Sequence, residues 1–583
     1  MARTVSVIAD NIISPLGMSS QQNYESVLQY RSEVRLHADI EGLAEPAMVS
    51  MLDKGSIAVE ASRYSIPESF TFFETMVALS IRKALENADV DATSPRTGLV
   101  LSTTKGNVSL LDLRQDYRKY SPENDCDREQ RSLVGESALR IASYLGNPNT
   151  PLVVSNACIS GVCAEIVAAR QIADGAYDDV IVCGCDVQGL FIISGFQSFK
   201  AISSNPCRPF DSERDGLNLG EAASTVILSG TKNGKWHIAA GAIRNDANHI
   251  SGPSRTGEGS FRCLDAIYSD KDVNDLAFVG VHGTSTLYND EMESIALSRA
   301  GMSDVPLNAL KGNFGHTMGS AGVLESIISM KAAENGVVLA TKGFQSMGVS
   351  CPVNVSAEHR ITDRRSFIKL LSGFGGCNAA ALFTMDEKEF ECDAASKELE
   401  TIHEVVITPE SIVLDEATLP SEGEGKQMLD AAFKNYVGGY AKYYKMDTLS
   451  RLGFLASELL LKDEKERFSP RDDRAVVLFG STSSLCNDRN YQATIQDPQN
   501  YFPSPALFVY TLANIVTGEI AIRNKYLGET SFYILPAMDE DVMTGTFKQT
   551  FMDKSVGSAV TGWLDCRSDS LFEARLKLVR LKK

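Results

Sequence analysis

Short apolar segments alternate with stretches of helical periodicity through most of the 583-residue chain, and this alternation limits the fold more than any other feature. Residues 97–102 and 179–185 are apolar runs that end in small residues, which is typical of buried strands. Residues 72–87 and 161–174 repeat apolar side chains at helical spacing, and Gly175 offers a stop for the second of these helices. The pattern predicts α/β layers around a covered sheet.

Polar and charged breaks divide the chain into three units. A glycine-bearing turn at residues 228–234 separates a first half, residues 1–232, from a second half, residues 233–388. The charged stretch that follows predicts a linker over residues 389–401, and a C-terminal unit of residues 402–583 comes after it. This α/β unit echoes strands of the first half, so we predict that it repeats that half; chance similarity between α/β segments is the alternative. The echoing segments are residues 404–408, 474–481 and 527–534.

Composition and charge exclude several classes of function. The chain is 43% hydrophobic and 22% charged, as expected of a globular protein, and no apolar run reaches the length of about 18 residues that a membrane span needs. Its formal net charge of −19 argues against nucleic acid or an anionic membrane as a partner. Asp10 interrupts the apolar N-terminal segment, which therefore reads as a strand and not as a signal peptide. We expect a cytoplasmic protein.

Most of the twelve cysteines have no regular spacing. In a cytoplasmic chain we expect Cys183, Cys185, Cys263 and Cys351 to be reduced thiols. Cys183 and Cys185 could form half of a metal site, but no Cys or His pair follows them at ligand spacing. We therefore predict no metal site.

Cys158 stands in a different context. It follows the apolar run 152–154 and precedes residues of helical periodicity, so it lies at a strand-to-helix turn. A helix N-terminus favours the thiolate and is expected to lower the pKa of Cys158. The small neighbours Ala157, Ser160 and Gly161 let a thioester approach the backbone. Taken alone, a cysteine at such a turn is more often a packed thiol than a nucleophile, so its role depends on the other motifs.

Two of the seven histidines lie in turns of small residues, and His282 is the first of them. It follows the apolar run 277–281, and Thr284 and Thr286 offer hydroxyls to the amide or phosphate groups of a thioester arm. Asp290 is suited to be the N-cap of the helix that comes next. A lone histidine at a strand end is as often structural as functional.

Lys311 and His316 lie five residues apart in a glycine-rich turn before a helical segment. Glu325 on that segment is suited to be an orienting or structural carboxylate, buried beside Lys311 or beside a main-chain donor. Glycine-rich turns before helices often bind phosphate, but Lys311 lacks the spacing of a P-loop and no Ser or Thr follows it directly. A phosphate-binding loop is therefore disfavoured.

Cys158, His282, Lys311 and His316, followed by the Gly-Phe-Gly-Gly turn of residues 373–376, together resemble the motifs of the β-ketoacyl synthases, the condensing enzymes of fatty-acid and polyketide synthesis. The resemblance implies a thiolase-like fold, a five-layer αβαβα sandwich of two related halves, in an enzyme that usually dimerises. It covers roughly residues 1–386 and includes the segments 199–203, 208–211, 214–216, 220–222 and 246–249.

The resemblance implies a role for each motif residue. Cys158 would carry the growing acyl chain as a thioester, and His282 and His316 would assist decarboxylation of a malonyl thioester by hydrogen bonding to the developing oxyanion. The charge of Lys311 would set the electrostatic environment of the two histidines and keep their side chains ordered. The backbone N–H groups of Cys158 and Phe374 would form the oxyanion hole, with Phe374 also acting as a gate.

The same resemblance implies partners but no resident cofactor, because the substrates are carried on the phosphopantetheine of an acyl carrier protein. Thr284 and Thr286 match the contacts of the family to the pantetheine arm. Lys200 and Arg208 are the candidates for carrier docking, although the loop between residues 203 and 208 is shorter than in many relatives. We expect a homodimer, or a heterodimer with another ketosynthase-like subunit.

Two functions other than a ketosynthase are possible alternatives, and the sequence disfavours both for the first two units. A degradative thiolase is disfavoured because Cys377 does not fit its second catalytic cysteine. A non-catalytic chain-length-factor-like partner or scaffold would lack the nucleophile, whereas Cys158 is present. That description suits the C-terminal unit instead: the last histidine of the chain is His403, so the unit resembles a degenerate ketosynthase N-terminal half with an accessory role. Such an extension suggests, by analogy, polyketide or aryl-polyene-like synthesis.

Overall fold

The computed structural model describes residues 3–121, 126–393 and 397–582, and each of the three units contains one main β-sheet. The first half contains strands β1 Ser6–Ile13, β2 Arg35–His37, β3 Ala47–Ser50, β4 Thr97–Ser102, β5 Leu152–Val154, β6 Asp179–Asp186, β7 Leu219–Gly220 and β8 Ala222–Ser229, with helices α1 Ser20–Leu28, α2 Lys54–Arg63, α3 Phe72–Leu85, α4 Arg128–Ser132, α5 Val134–Leu145, α6 Ser160–Asp174 and α7 Leu190–Ser198. The second half contains strands β9 Trp236–Asn245, β10 Leu276–Gly280, β11 Pro306–Asn308, β12 Val337–Val338, β13 Asn354–Val355, β14 Arg360–Ile361, β15 Ser366–Ser372 and β16 Cys377–Thr384, with helices α8 Glu258–Tyr268, α9 Leu287–Arg299, α10 Lys311–Phe314 and α11 Ala321–Glu334. The C-terminal unit contains strands β17 Leu399–Ile407, β18 Ile412–Leu414, β19 Ala417–Leu419, β20 Arg474–Gly480, β21 Thr530–Ile534, β22 Ser558–Ser568 and β23 Leu571–Leu581, with helices α12 Gly425–Tyr436, α13 Thr448–Leu460, α14 Leu485–Ala493, α15 Pro505–Val509, α16 Ile515–Asn524 and α17 Glu540–Thr550.

The three main sheets share one strand order. In the first half it is β1-β8-β6-β4-β5, in the second half β9-β16-β15-β10-β11, and in the C-terminal unit β17-β23-β22-β20-β21. In each sheet the first two pairings are antiparallel and the last two are parallel. The echoes in the sequence therefore have a structural counterpart, in which one topology occurs three times.

The first two sheets form a layered sandwich. Helices α6 and α11 lie between them, because each contacts strands of both sheets. Helices α3 and α8 cover the outer faces, α3 on the first sheet and α8 on the second. The middle helices are buried almost throughout, which explains why their small and apolar residues show little amphipathic pattern. The predicted five-layer αβαβα fold is confirmed.

A buried carboxylate illustrates how closely the C-terminal unit repeats the first half. At the end of β6, Asp186 accepts hydrogen bonds from the Thr103 hydroxyl at 2.7 Å and from the Thr104 N–H at 3.0 Å. In β22, three residues before the strand ends, Asp565 accepts the N–H groups of Ser481 and Thr482, at 2.9 and 2.8 Å. The same turn chemistry thus closes equivalent strand ends in both units.

The C-terminal unit docks edge to edge on the first half. Strand β21 pairs antiparallel with β5, with Tyr533 opposite Val154 and Ile534 opposite Val153. Two further hydrogen bonds extend this contact, from the Ser155 N–H to the Phe532 carbonyl at 3.1 Å and from the Phe532 N–H to the Asn156 side chain at 2.7 Å. Because β5 and β21 are equivalent strands of repeated units, the contact has the geometry of a two-fold dimer interface within a single chain.

Three buried ion pairs among the described residues join the C-terminal unit to the rest of the chain, two of them to the first half and one, through Arg244, to the second half. Arg170 pairs with Glu529 at 2.9 Å, Arg244 with Asp553 at 2.6 Å, and Lys105 with Asp488 at 2.6 Å. Burial by itself raises the pKa of Asp553, but the Arg244 guanidinium outweighs it and holds that pKa at about 2. Breaking one such pair leaves an uncompensated charge inside the protein, so the pairs fix the register of the two units.

The structure corrects the predicted domain boundary and refines two smaller expectations. The linker was expected to reach residue 401, yet β17 begins at Leu399, where the backbone pairs with Leu581; residues 394–396 of that linker lie outside the described part of the chain. Helix α6 ends as predicted at Gly175, whose φ of 80° is left-handed. As expected, Cys183, Cys185 and Cys263 are buried free thiols; Cys351 is also a free thiol but is partly exposed. Within the described residues, no helix is long and apolar enough to cross a bilayer.

The interface ion pairs lead to a stability prediction. Arg244→Met leaves Asp553 buried without a partner, so we expect the free energy of unfolding to fall by about 3–5 kcal/mol. Arg580→Met removes a pair with Glu400 that is half exposed, and the expected loss is about 0–1 kcal/mol. Denaturant unfolding followed by intrinsic fluorescence compares the two variants, and equal losses would contradict the assignment.

Candidate active site

Cys158 lies where strand β5 gives way to helix α6, in a 3₁₀ turn formed by residues Ala157–Ile159. Ala157 has a φ of 49°, a left-handed conformation that is costly for a residue other than glycine and that occurs often at functional turns. Burial raises the pKa of the Cys158 thiol to about 12. The lowered pKa expected from the helix N-terminus is therefore wrong for this structure, because loss of hydration around the thiolate outweighs the helix dipole.

His316 faces the sulfur from a second turn of the same kind. Residues Met318–Ser320 form a 3₁₀ turn before α11, and the Met318 N–H donates to Nδ1 of His316 at 3.3 Å. In the neutral imidazole the proton is therefore on Nε2, which lies 3.0 Å from Sγ of Cys158. Burial lowers the pKa of His316 well below its usual value, so the ring is neutral. Its Nε2–H is directed at the sulfur, where it stabilises negative charge.

His282 completes the cluster from the end of strand β10. The sulfur of Cys158 and a ring nitrogen of each histidine all lie within 4.8 Å of one another. The rings of His282 and His316 are nearly perpendicular, at 82°, with centroids 5.2 Å apart. Burial and, to a smaller extent, Lys311 lower the pKa of His282 well below its usual value. Its Nδ1 is buried and has no hydrogen-bond partner among the described residues.

Two buried lysines flank one carboxylate behind the histidines. Glu325 lies 2.8 Å from Nζ of Lys311 and 2.5 Å from Nζ of Lys369. Burial by itself raises the pKa of Glu325, but the two lysines outweigh it and hold that pKa below its usual range. The sequence predicted the Lys311–Glu325 pair and missed Lys369, which only the folded sheet brings beside α11. The available signal was a lysine in the middle of the apolar strand β15.

These charges hold the backbone on which His282 is mounted. Lys311 donates to the carbonyl of His282 at 2.6 Å, and Lys369 donates to the two preceding carbonyls at 3.0 and 3.1 Å. From the other side, Glu293 accepts the N–H groups of His282 and of the next residue, at 2.5 and 2.9 Å. The histidine is therefore positioned by charge-assisted hydrogen bonds along its own backbone.

The Gly-Phe-Gly-Gly turn lies against the backbone of Cys158. A Cβ added at Gly373 would lie only 3.3 Å from the N atom of Cys158, so a side chain larger than hydrogen would crowd the two segments. The Sγ of Cys377 donates to the Phe374 carbonyl at 3.2 Å, which closes the turn on itself. The turn thus brings the backbone of Gly373, the neighbour of Phe374, close to the N atom of Cys158.

A channel of about 740 Å³ connects this cluster with the protein surface. Cys158, His282, His316 and Phe374 line its inner part. Thr284 and Thr286 line it further out, and their hydroxyl oxygens lie 2.9 Å apart. Lys200 and Arg255 lie at the exposed mouth, beside Leu287 and Tyr288.

Two predicted residues occupy places other than those expected. Asp290 is not the N-cap of helix α9, because the cap is Thr286 and Asp290 lies in the first turn. Its carboxylate instead accepts the N–H groups of Phe210 and Ser285, at 2.8 and 3.2 Å, and so fixes the loop that carries the threonines. Arg208 is not among the residues that line the channel, whereas Arg255, which the sequence did not single out, is.

A second, much smaller cavity of about 20 Å³ begins on the inner side of Phe374. Cys158 and Phe374 form one end of it, and Lys105 lines it from the first half. Phe508 and Leu512 close it from the C-terminal unit. Phe508 and Leu512 are apolar, so the C-terminal unit lines a space beside the sulfur without supplying a reactive side chain there.

Comparison with known proteins connects this geometry with a family. Residues 2–233 match the family described as β-ketoacyl synthase, N-terminal domain, and residues 237–345 match β-ketoacyl synthase, C-terminal domain. The tetracenomycin polyketide synthase ketoacyl synthase alpha subunit of Streptomyces glaucescens is 28% identical over 344 residues, which cover 53% of this chain and 79% of that protein. The 3-oxoacyl-(acyl-carrier-protein) synthase 2 of Rhizobium meliloti is 26% identical over 419 residues, 65% of this chain and 98% of that protein.

One solved structure resembles the entire chain. The PfaC keto synthase–chain length factor superposes with a TM-score of 0.75 and covers 99% of this chain and 78% of its own. The sequences are 14% identical, so the likeness concerns the fold alone. It includes the C-terminal unit, which the two relatives above leave largely unmatched.

The short contact between His316 and Cys158 leads to a reactivity prediction. His316→Ala removes the Nε2–H that stabilises the thiolate, so we expect alkylation of Cys158 by iodoacetamide at fixed pH to slow about tenfold, equivalent to one pKa unit. The imidazole of His282 makes no hydrogen bond to the sulfur, and His282→Ala is expected to change the rate by less than about twofold. Peptide mass spectrometry of Cys158 over time measures both rates. The reverse order of effects would contradict the geometry.

Proposed function

This chain belongs to the β-ketoacyl synthase family and is an acyl-transferring condensing enzyme, and we propose that it joins an acyl group held on Cys158 to a malonyl thioester with loss of CO₂. The observation that carries the proposal is the approach of one sulfur and two neutral imidazoles to within 4.8 Å of one another along a channel of about 740 Å³. Relatives of the chain include an enzyme named as a polyketide synthase subunit and one named as a 3-oxoacyl-(acyl-carrier-protein) synthase, and the pathway that we propose is polyketide or fatty-acid synthesis.

The first half-reaction transfers the acyl group to the protein. The sulfur of Cys158 attacks the thioester carbonyl, a new C–S bond forms, and the carrier thiol leaves with the proton that Cys158 gives up. The Nε2–H of His316 stabilises the attacking thiolate from 3.0 Å. The N–H groups of Cys158 and Phe374 are the proposed donors to the oxyanion of the tetrahedral intermediate.

The second half-reaction forms the carbon–carbon bond. The malonyl group loses CO₂ and becomes an enolate, whose carbon attacks the acyl carbonyl and displaces the sulfur of Cys158. His282 and His316 are the proposed donors to the enolate oxygen. Their role requires neutral rings with an N–H directed into a dry site, and burial favours the neutral form of both. The lysines and Glu325 keep these rings in place.

The channel also indicates how substrates arrive. We propose that an acyl carrier protein delivers them on phosphopantetheine, whose amide groups would contact Thr284 and Thr286. Lys200 and Arg255 at the mouth supply positive charge on an otherwise acidic protein, which favours docking of an acidic carrier. This assignment keeps the predicted Lys200 and replaces Arg208 by Arg255.

We propose that the C-terminal unit takes, within one chain, the place of the second ketosynthase-like subunit that we expected as a dimer partner. It occupies the β5 edge through the equivalent strand β21. Where the first half has the nucleophile turn after β5, the C-terminal unit continues from β21 into Leu535 and Pro536, with no cysteine in the turn. In this proposal the unit supports the site of the first half, and its turn after β21 supplies no second nucleophile.

The Lys105–Asp488 ion pair forms the proposed floor of the acyl pocket. Lys105 lines the small cavity beside Cys158, and it also lines a second cavity of about 20 Å³ on its far side, together with Asp488 and Leu485. Each cavity has room for about one water molecule. Lys105 lines both cavities, so we propose that the ion pair separates two spaces that would otherwise join. Because one partner comes from each unit, the acyl chain length that fits depends on how the C-terminal unit docks.

Substitutions in the cluster test the condensing function. Intact-mass measurement after incubation with an acyl-pantetheine thioester is expected to show an acyl adduct on the native protein and none on Cys158→Ala. His316→Ala is expected to slow malonyl decarboxylation about 100-fold to 1000-fold, as for loss of an oxyanion donor, while acylation of Cys158 stays measurable. His359→Ala, which alters a ring stacked on Tyr30 outside the cluster, serves as the control. No adduct on the native protein would favour a non-catalytic scaffold, and equal loss of both steps in His316→Ala would contradict the assigned roles.

The floor of the acyl pocket is tested by removing both charges together, so that neither remains unpaired. Lys105→Ala with Asp488→Ala removes both charges and shortens both side chains, and it is expected to favour longer acyl chains, by about fourfold in kcat/KM for each methylene that gains room, from about 0.8 kcal/mol per buried methylene. Arg244→Ala with Asp553→Ala removes a buried pair between the second half and the C-terminal unit, away from the cavity, and its chain-length profile should match the native one. A shift of both profiles, or of neither, would contradict the assignment.

A further inference from the structure

Asn514 of the C-terminal unit reaches across the interface to the Gly-Phe-Gly-Gly turn. Its Nδ2 donates a hydrogen bond of 2.7 Å to the carbonyl of Phe374 and lies 3.5 Å from Sγ of Cys377. The side chain is almost fully buried, and its Oδ1 has no hydrogen-bond partner among the described residues. The hydrogen bonding of this buried amide is therefore devoted to the turn, even though one of its polar atoms stays unsatisfied.

Helix α16 also presses on the turn through its backbone. A Cβ added at Gly518 would lie 2.5 Å from the carbonyl oxygen of Gly375 and 2.9 Å from its Cα, so only glycine allows this approach. On the opposite side, the second half holds Gly375 through its N–H, which donates to Ile250 at 2.7 Å, and through its carbonyl, which accepts from Asn245 at 2.8 Å. The turn is thus held from two directions, by the second half and by the C-terminal unit.

The ring of Phe374 is linked to the same unit through two rings of the first half. It packs against Phe196 and Phe199, with centroids 6.4 and 5.7 Å away. Phe508 of the C-terminal unit packs on both of these rings, at 5.6 and 6.1 Å. Phe374 lines both the channel and the inner cavity, so a shift of this turn changes the passage between them as well as the direction of its N–H.

We propose that Asn514 is a positioning residue, through which the C-terminal unit sets the turn that supplies the Phe374 N–H to the oxyanion and the Phe374 ring to the gate. The inference rests on the proposed function, because the turn matters only if Cys158 accepts an acyl group. Donors to an oxyanion act by being aimed before the charge develops, and displacement by a fraction of an ångström weakens them. An amide fixed to a helix end in a neighbouring unit provides such an anchor.

Two reactions of the Cys158 sulfur, measured on the 583-residue protein, test the positioning role of Asn514. Acylation of Cys158 by acetyl-pantetheine needs the oxyanion hole, whereas alkylation by iodoacetamide does not. Asn514→Leu keeps the approximate shape and removes the donor; we expect acylation to slow about tenfold to a hundredfold while alkylation stays within about twofold of native. Gly518→Ala pushes on the same turn from its backbone side and is expected to act in the same direction, which covers the case that Asn514→Leu does not fold.

Matched variants separate positioning from general damage. Asn487→Leu removes an equally short amide hydrogen bond, 2.7 Å to Leu507 inside the C-terminal unit, and Gly545→Ala adds a methyl group to a helix glycine with open space around it. Both are expected to leave the rate of Cys158 acylation at its native value.

Asn514→Asp adds a pH readout, since a protonated carboxyl can donate to the Phe374 carbonyl and an ionised one cannot. Its acylation rate, relative to native at the same pH, should rise as the pH falls.

The outcomes are distinct. Slower acylation with native alkylation in Asn514→Leu or Gly518→Ala, and native rates in both controls, supports the proposal. Native acylation in Asn514→Leu and Gly518→Ala, a parallel loss of both reactions, or an equal effect in the controls overturns it. If the native protein does not acylate Cys158 at all, the proposed function itself fails, and that result is distinguishable because it appears before any substitution is made.

Discussion

The antiparallel contact between β5 and β21 is the interaction on which the rest of this structure depends. It lies directly before the turn that carries Cys158, and Phe532 hydrogen-bonds to the backbone of Ser155 and to the side chain of Asn156, three and two residues from Cys158. The geometry of the reactive sulfur is therefore set partly by a unit that contains no reactive group. A repeat that lost its chemistry can keep this role, because strand pairing requires backbone atoms and shape, and does not require a particular side chain.

Buried charge gives that contact its register and gives the site its electrostatics. Across the interface, Arg170, Arg244 and Lys105 each meet a carboxylate of the C-terminal unit. Behind the histidines, two lysines share Glu325 and hold consecutive carbonyls of the strand end. Both arrangements are costly to desolvate and are stable only when every partner is present, so each commits the chain to one geometry. The imidazoles, by contrast, are kept neutral in the same dry interior, which suits hydrogen-bond donation and not proton uptake.

The C-terminal unit also shows how a repeat can be stable when one face of its sheet is open to solvent, although the equivalent face in the first half is covered. Strand β8 of the first half is buried along its whole length, whereas β23 exposes alternate residues, among them Arg575, Lys577 and Arg580. Lys577 pairs with Glu404 at 2.9 Å, and Arg580 pairs with Glu400. Charged pairs across neighbouring strands make the open face compatible with water, while the opposite face packs on α13 and the shared core.

The sequence by itself determined the layered α/β fold, the repeat after residue 400, and the set Cys158, His282, Lys311 and His316, because hydrophobic periodicity and short motifs are local properties of the chain. It also predicted the Lys311–Glu325 pair, since both residues lie on adjoining segments. Tertiary structure decided what depends on residues far apart: the second lysine behind Glu325, the contact of Asn514 with Phe374, and the Lys105–Asp488 floor of the acyl pocket. It also reversed the expected pKa shift of Cys158, because the degree of burial is set by packing from three units and has no local signature in the sequence.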